Sequence, residues 1–158
     1  MIDAVCERRS FVRNPRTLSF NMIGSEKPEK LQIARHPHGE IEGFRVWEIS
    51  EKFVIEDTDY SEQLRLKDFA DISINHNDAI VDSLERSDKR PIVHWIPINH
   101  SRKARLTSPS GSGFRIDEGL IENIDLVEGA IVQLERVGFA RIEKIPENGP
   151  VDLLYLHG

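Results

Sequence analysis

The sequence predicts an all-β protein built from two small barrels packed together. Three observations support this prediction: short segments with alternating apolar and polar residues, frequent Gly and Pro turns between them, and hardly any helical periodicity. The 158 residues suffice for one ordinary domain or two small ones. A charged interval at 85–90 separates strand-rich halves of comparable size, so we expect one barrel over 1–87 and another over 88–158.

The first half reads as a meander of short strands. Alternation predicts strands over 17–23 and 43–49, and a short apolar strand follows at 53–56. The segment 63–75 continues the series. Residues 77–87 could form a short helix capped by Asn or Asp, but a strand fits nearly as well, so both alternatives remain open.

The second half resumes the strand pattern. We expect strands over 91–98, 103–108, 129–143 and 151–158. Turn-forming residues separate the strands of both halves, in the segments 24–30, 35–43, 75–78, 108–113 and 146–150. Close spacing of short strands with frequent turns is typical of a barrel or sandwich.

Two polar strand faces are candidates for binding. In the segment 129–143, alternate apolar residues point to one side, while Gln133 and Glu135 share the other side and Arg141 joins them after a tight turn. Arg65 and Lys67 lie about 7 Å apart on one face of their strand, so they can address neighbouring phosphates or edges of unpaired bases. The alternative for these two cations is a solubilising strand face.

Composition excludes several classes of protein. With 39% hydrophobic and 30% charged residues, the chain has the profile of a globular protein rather than a disordered one. No apolar run approaches the roughly 18 residues of a membrane helix, and arginines replace the apolar core of a secretory signal, so we expect a cytoplasmic protein. Cys6 is the only cysteine, which excludes an internal disulfide and a cysteine cluster for zinc.

The charge is unevenly distributed along the chain. The net charge of −6 argues against general coating of nucleic acid, DNA included. However, the segment 8–16 holds four arginines and no acid, and 86–105 holds six Lys or Arg against one acid. This pattern indicates either ordinary surface patterning or a basic face that orients the domain on an anionic partner.

A metal-dependent barrel enzyme is the main catalytic alternative. His36, His38 and Glu42 resemble the first metal motif of cupin barrels, in which two histidines and a carboxylate can hold iron, manganese or nickel. The glycines that flank this motif in cupins are missing. The segment 109–113 is neither a nucleophile elbow nor a phosphate-binding loop. We therefore predict no catalytic residue and no metal site in this chain.

Several segments together resemble a known family. The chain is similar to the C-terminal anticodon-binding region of glutamyl-tRNA synthetases of the archaeal and eukaryotic type. The similar segments follow in the same order over nearly the whole chain: 8-RRSFVRNP-15, 35-RHPHGEIEGFR-45, 63-QLRLKDF-69, 91-PIVHWIP-97 and 129-GAIVQLERVGFARIE-143.

The resemblance implies two β-barrels that exchange their N-terminal strands and grip the anticodon loop of a tRNA. It aligns Gln133 with a glutamine that hydrogen-bonds an anticodon base. Arg65 and Lys67 match paired basic positions of the family, and Arg9 stands where the family carries an arginine near the anticodon.

The resemblance also implies a scaffolding role for the turn 136–139. Gly138 is expected to allow the chain reversal and Phe139 to pack inward.

The resemblance further implies that the catalytic chemistry is performed outside this chain. The class I signatures His-x-Gly-His and Lys-Met-Ser-Lys-Ser are absent from the 158 residues. We therefore expect an N-terminal catalytic region to supply ATP- and Mg-dependent glutamylation. The expected partners are that region and tRNA(Glu), with tRNA(Gln) as a second candidate. An alternative role is a docking module that tethers a synthetase to other proteins without reading bases.

Overall fold

The computed structural model describes residues 6–21, 30–35, 43–86 and 88–158. Within these residues the regular structure consists of sixteen strands and two 3-10 turns, Asp57–Asp59 and Ile98–His100. The strands are β1 (Arg8–Arg9), β2 (Phe11–Arg13), β3 (Pro15–Phe20), β4 (Lys30–Ala34), β5 (Phe44–Glu48), β6 (Lys52–Glu56), β7 (Gln63–Leu66), β8 (Ala70–Asn75), β9 (Asp78–Ser83), β10 (Ile92–Val93), β11 (Ile96–Pro97), β12 (Ser101–Ser110), β13 (Gly113–Glu122), β14 (Ile131–Leu134), β15 (Gly138–Lys144) and β16 (Val151–His157). The prediction of an all-β fold is confirmed.

The strands form two seven-stranded sheets and one separate hairpin. The first sheet has the order β10-β7-β8-β9-β3-β6-β11, and the second has the order β1-β14-β15-β16-β12-β13-β2. The hairpin consists of β4 and β5. Among the described residues, no helix is long and apolar enough to cross a membrane.

Each sheet takes two short strands from the opposite half of the chain. β1 and β2 lie at the two edges of the second sheet, where Arg8 pairs with Gln133 and Val12 with Leu120. β10 and β11 lie at the edges of the first sheet, where Ile92 pairs with Arg65. This crossing brings the N-terminal arginines beside β14. The division at 87/88 stays a prediction.

Alternating apolar residues fill a separate core beneath each sheet. The first core is rich in aromatic side chains: Phe20, Trp47, Phe53, Phe69 and Trp95. The Trp95 ring stacks on Phe69 and meets Trp47 edge-on, with centroids 5.1 Å apart in both pairs. The second core is mainly aliphatic and contains Leu106, Ile121, Val132, Leu134, Ile142 and Leu153. The two-residue period of each strand therefore determines which of its side chains enter the core and which point outward.

The segment 77–87 contains a strand, so the helical alternative is wrong. β9 pairs with β8 over most of its length, with Ala79 opposite Ile74 and Val81 opposite Ile72. Ala79 is buried, whereas its neighbour Ile80 is 41% exposed. Pairing with a neighbouring strand thus overrides the cap that Asn77 could provide to a helix.

Candidate nucleic-acid interface

Gln133 lies on the outer face of the second sheet, between β1 and β15. Its apolar neighbours Val132 and Leu134 are buried beneath the sheet. The Arg8 Nε donates a hydrogen bond to the Gln133 Oε1 at 3.2 Å, and Phe139 stands opposite on β15. A guanidinium, an amide and an aromatic ring therefore form one row across three strands, which suits contacts with an unpaired base.

A cleft of about 500 Å³ opens beside this row. Arg8 and Glu135 line it from the second sheet, and Arg65 and Lys67 line it from the first. The β4–β5 hairpin contributes Phe44, whose side chain is 57% exposed. The structure thus brings Arg65 and Lys67 together, as predicted from their spacing, and places Gln133 next to the cleft through Arg8.

Carboxylates hold two of the cleft cations, Arg65 and Lys67. The Arg65 Nη1 lies 3.0 Å from an oxygen of Asp71, which is fully buried, and Nη2 donates to the Leu84 carbonyl at 3.2 Å. The Lys67 Nζ lies 2.7 Å from both oxygens of Glu135. These pairs fix the positions of the two cations, so the cleft is a shaped polar site rather than a diffuse positive surface.

Arg9 points into the protein, away from the cleft. Its side chain is 1% exposed and donates to the Ile124 carbonyl at 3.3 Å, to the Arg8 carbonyl at 2.9 Å and to Glu7 at 2.7 Å. Burial lowers the pKa of Arg9, against the opposing effect of the carboxylates of Glu122 and Glu7. The arginine that reaches the outer face is Arg8, one residue earlier.

The turn 136–139 differs in part from its expected role. Gly138 has φ 136°, and a Cβ there would lie 2.5 Å from the His157 carbonyl oxygen, so glycine is required for this reversal. The expectation that Phe139 packs inward is wrong. Its partner in the ladder is Gln133, and its ring stacks on His157 with centroids 4.7 Å apart.

A buried carboxylate joins the β4–β5 hairpin to the second sheet. Glu122 is fully buried at the end of β13 and forms an ion pair with Arg45 of β5. Glu122 also accepts hydrogen bonds from the Trp47 Nε1 at 2.9 Å and from the Ser10 backbone N–H at 3.2 Å. Since Arg45 lines the cleft, this carboxylate fixes one of its walls.

A second buried carboxylate lies where the two sheets meet. Glu56 accepts hydrogen bonds from the Arg13 backbone N–H at 3.1 Å and contacts the His94 Nε2 at 3.2 Å. Burial alone would raise the pKa of Glu56, but these contacts outweigh it and lower the pKa from 4.5 to about 2. The folded protein therefore favours the ionised form of this group.

We expect the Glu56 contacts to stabilise the fold above pH 4.5 and to be lost as the pH falls toward 2. The folded pKa lies below the unfolded one, so the unfolded state binds the proton more tightly in this range; the loss should be on the order of 2 kcal/mol. Urea denaturation at several pH values measures it. Glu56→Gln should flatten this part of the profile, whereas the exposed control Glu62→Gln should leave it unchanged. An identical profile for Glu56→Gln would contradict the assignment.

Acidic side chains neutralise part of the two basic segments. Several of their arginines form ion pairs: Arg13 with Glu56, Arg16 with Asp57, Arg90 with Asp82 and Arg105 with Asp152.

Comparison with known proteins identifies the fold family. The model of the anticodon-binding domain of class I tRNA synthetases (E and Q), the glutamyl and glutaminyl enzymes, matches residues 6–90. The chain belongs to this family. This confirms the resemblance drawn from its sequence motifs.

Archaeal glutamate–tRNA ligases are similar to nearly the whole chain. The Pyrococcus furiosus protein is 30% identical over 99% of this chain, and the Methanocorpusculum labreanum protein is 32% identical over 99%. The Methanosarcina acetivorans protein is 29% identical over 93%. This synthetase-family chain spans only 29%, 28% and 27% of their respective lengths. These relatives lend no support to the protein-tethering or metal-enzyme alternatives.

The candidate cupin-like metal ligands are His36, His38 and Glu42. All three lie outside the residues that the structure describes. In the part of the chain that is described, no group of three or more His, Cys, Asp or Glu side chains is arranged to hold a metal ion.

Two contacts of the candidate interface were not predicted from the sequence. One is the Arg8–Gln133 hydrogen bond. Gln133 was a usable signal for it, because side chains paired across neighbouring strands lie on the same face of the sheet. The tRNA-binding role of Arg9 stays a prediction. The Arg45–Glu122 pair had no sequence signal, since 77 positions separate the two residues.

Proposed function

We propose that this chain reads the anticodon loop of a glutamate tRNA as part of a glutamate–tRNA ligase. The position of Gln133 carries the proposal. Gln133 is half-buried on the outer face of the second sheet, and its amide oxygen lies 3.2 Å from the Arg8 Nε, beside the cleft that holds Arg65 and Lys67. An amide can donate and accept on one Watson–Crick edge, so this geometry supports contact with a single unstacked base.

Base reading would use the difference between paired and unpaired polar groups. When the loop bases splay onto the interface, the correct base satisfies the Gln133 amide. A wrong base leaves a buried donor or acceptor unpaired, at a cost of about 1–3 kcal/mol. Arg65 and Lys67 would contact the loop backbone or neighbouring bases. Because carboxylates already hold both cations, nonspecific attraction is limited, in keeping with the net charge of −6.

The remaining functions of such an enzyme would lie outside this chain. The relatives are named as ligases of glutamate and tRNA, and most of their length is outside the matched region. We assign ATP- and Mg-dependent activation of glutamate to that part of a cytoplasmic synthetase. This chain would select tRNA(Glu), with tRNA(Gln) as a second candidate substrate.

Fluorescence anisotropy with labelled anticodon stem-loops tests the proposal. The wild-type chain is titrated with the glutamate-tRNA stem-loop and with loops in which each anticodon base is changed, at two salt concentrations. Anticodon-dependent affinity is expected at both. Binding that depends only on salt would reduce the chain to an electrostatic clamp, and absence of binding to stem-loops and whole tRNA would favour the tethering role.

Lys67→Ala should weaken binding to every loop by a similar factor. The ammonium group supplies charge rather than base identity, so we expect roughly a fivefold loss and a salt slope smaller by about one. Removing the ammonium also leaves the Glu135 carboxylate without its 2.7 Å partner, which adds repulsion toward phosphate. The same titrations measure both effects. Lys103→Ala, which removes an exposed lysine from β12, is the matched control. A loss confined to one anticodon position would instead assign Lys67 to base reading.

A further inference from the structure

Two consecutive residues at the tip of the β14–β15 hairpin, which carries Gln133, form ion pairs with the first half of the chain. Glu135 pairs with Lys67, and Arg136 pairs with Asp59 of the 3-10 turn that follows β6. Both terminal nitrogens of the Arg136 guanidinium, Nη1 and Nη2, donate to the Asp59 carboxylate, Nη2 at 3.1 Å. The turn that ends β14 is therefore tied to the opposite sheet by two ion pairs.

The buried His94 also contacts the Arg136 guanidinium. The Arg136 Nη1 lies 3.0 Å from the His94 Nδ1, and a guanidinium can only donate. The proton of the imidazole therefore lies on Nε2, which donates to the Phe11 carbonyl at 3.1 Å and toward Glu56 at 3.2 Å. His94 is 2% exposed, so its ring cannot turn away freely.

The backbone of Arg136 indicates that these contacts determine the shape of the turn. Arg136 has φ 62°, a conformation that a non-glycine residue adopts at a cost and keeps where surrounding contacts enforce it. Gln133 lies three residues before Arg136, near the end of β14. A change in the turn would therefore move the Gln133 amide relative to Arg8 and the cleft.

We propose that Asp59 is a positioning residue that holds the Arg136 turn, packed on His94, and thereby orients Gln133 for base reading. The assignment rests on the proposed anticodon function. Asp59 does not line the cleft, so it would act through Arg136. In this arrangement the selection of a base depends on the contact of Arg136 with Asp59.

The test compares Asp59→Asn with two matched variants. Asp59→Asn keeps the shape of the side chain but removes its charge, whereas Asp59→Glu keeps the charge. Asp57→Asn removes a carboxylate from the same 3-10 turn, one that pairs with Arg16 rather than with the hairpin. Each variant is titrated with the glutamate-tRNA stem-loop and with loops of altered anticodon, and its unfolding is measured in urea.

We expect Asp59→Asn to reduce the affinity ratio between cognate and altered loops about tenfold, with binding at low salt retained. Asp59→Glu should restore much of the ratio, and Asp57→Asn should leave it unchanged. An unchanged ratio in Asp59→Asn, or an equal loss in Asp57→Asn, would overturn the positioning role while leaving the anticodon function intact. A wild-type chain without anticodon preference would instead overturn the proposed function and this role with it.

Discussion

Replacing Gln133 with alanine is expected to weaken binding of the cognate anticodon stem-loop roughly thirtyfold to a hundredfold, or about 2–3 kcal/mol. The variant removes a donor and an acceptor from the base edge and leaves Arg8 without the amide oxygen 3.2 Å from its Nε. The paired base would then contact an apolar methyl group. Affinity for loops altered at the base that Gln133 reads should change much less, so discrimination at that position should disappear. Anisotropy titration of the wild type and the variant measures both quantities.

Gln63→Ala provides the matched control. Gln63 is an exposed glutamine on β7 that does not line the cleft, so its removal makes the same chemical change on another strand. We expect this control to bind like the wild type, and circular dichroism should show unchanged strand content in both variants. Equal losses in the two variants would contradict base reading by Gln133.

The strands could be predicted because the alternation of apolar and polar residues along the sequence matches the alternation of buried and outward-facing side chains. In β14, alternation alone separates the buried Val132 and Leu134 from Gln133. The choice between Arg8 and Arg9 could not be made in this way. β1 is only two residues long, and its orientation is set by pairing with β14 across more than 120 positions. Local sequence contains no signal for that register.

The cleft shows the same division between local and distant information. Residue spacing predicted that Arg65 and Lys67 share a face, and they do line one cleft. Their partners depend on tertiary structure: Asp71 follows after a tight turn, but Glu135 lies 68 positions from Lys67. The family resemblance implied that Phe139 packs inward. The ladder instead places it opposite Gln133, and Ala140 takes the inward position.

Glu122→Ala is expected to lower the free energy of unfolding by about 3–5 kcal/mol, because it removes one partner of a buried ion pair. The Arg45 guanidinium, which is 2% exposed, loses its contact with this carboxylate. The Trp47 Nε1 and the Ser10 backbone N–H would lose their acceptor as well. Urea denaturation followed by tryptophan fluorescence measures the change. Glu118→Ala, an exposed position on the same strand, should change stability by less than about 0.5 kcal/mol.

A double variant separates the loss of the ion pair from the other losses. When Arg45→Leu is combined with Glu122→Leu, both charges of this pair are removed, and the apolar pair can occupy a similar volume. The double variant should therefore be more stable than Glu122→Leu alone, although the donors of Trp47 and Ser10 keep it below the wild type. Because Arg45 forms part of the cleft wall, the double variant should bind the anticodon loop more weakly than the wild type even where its stability is partly restored. If the double variant is as unstable as the single one, the stability of this junction comes from packing around β13 rather than from the ion pair.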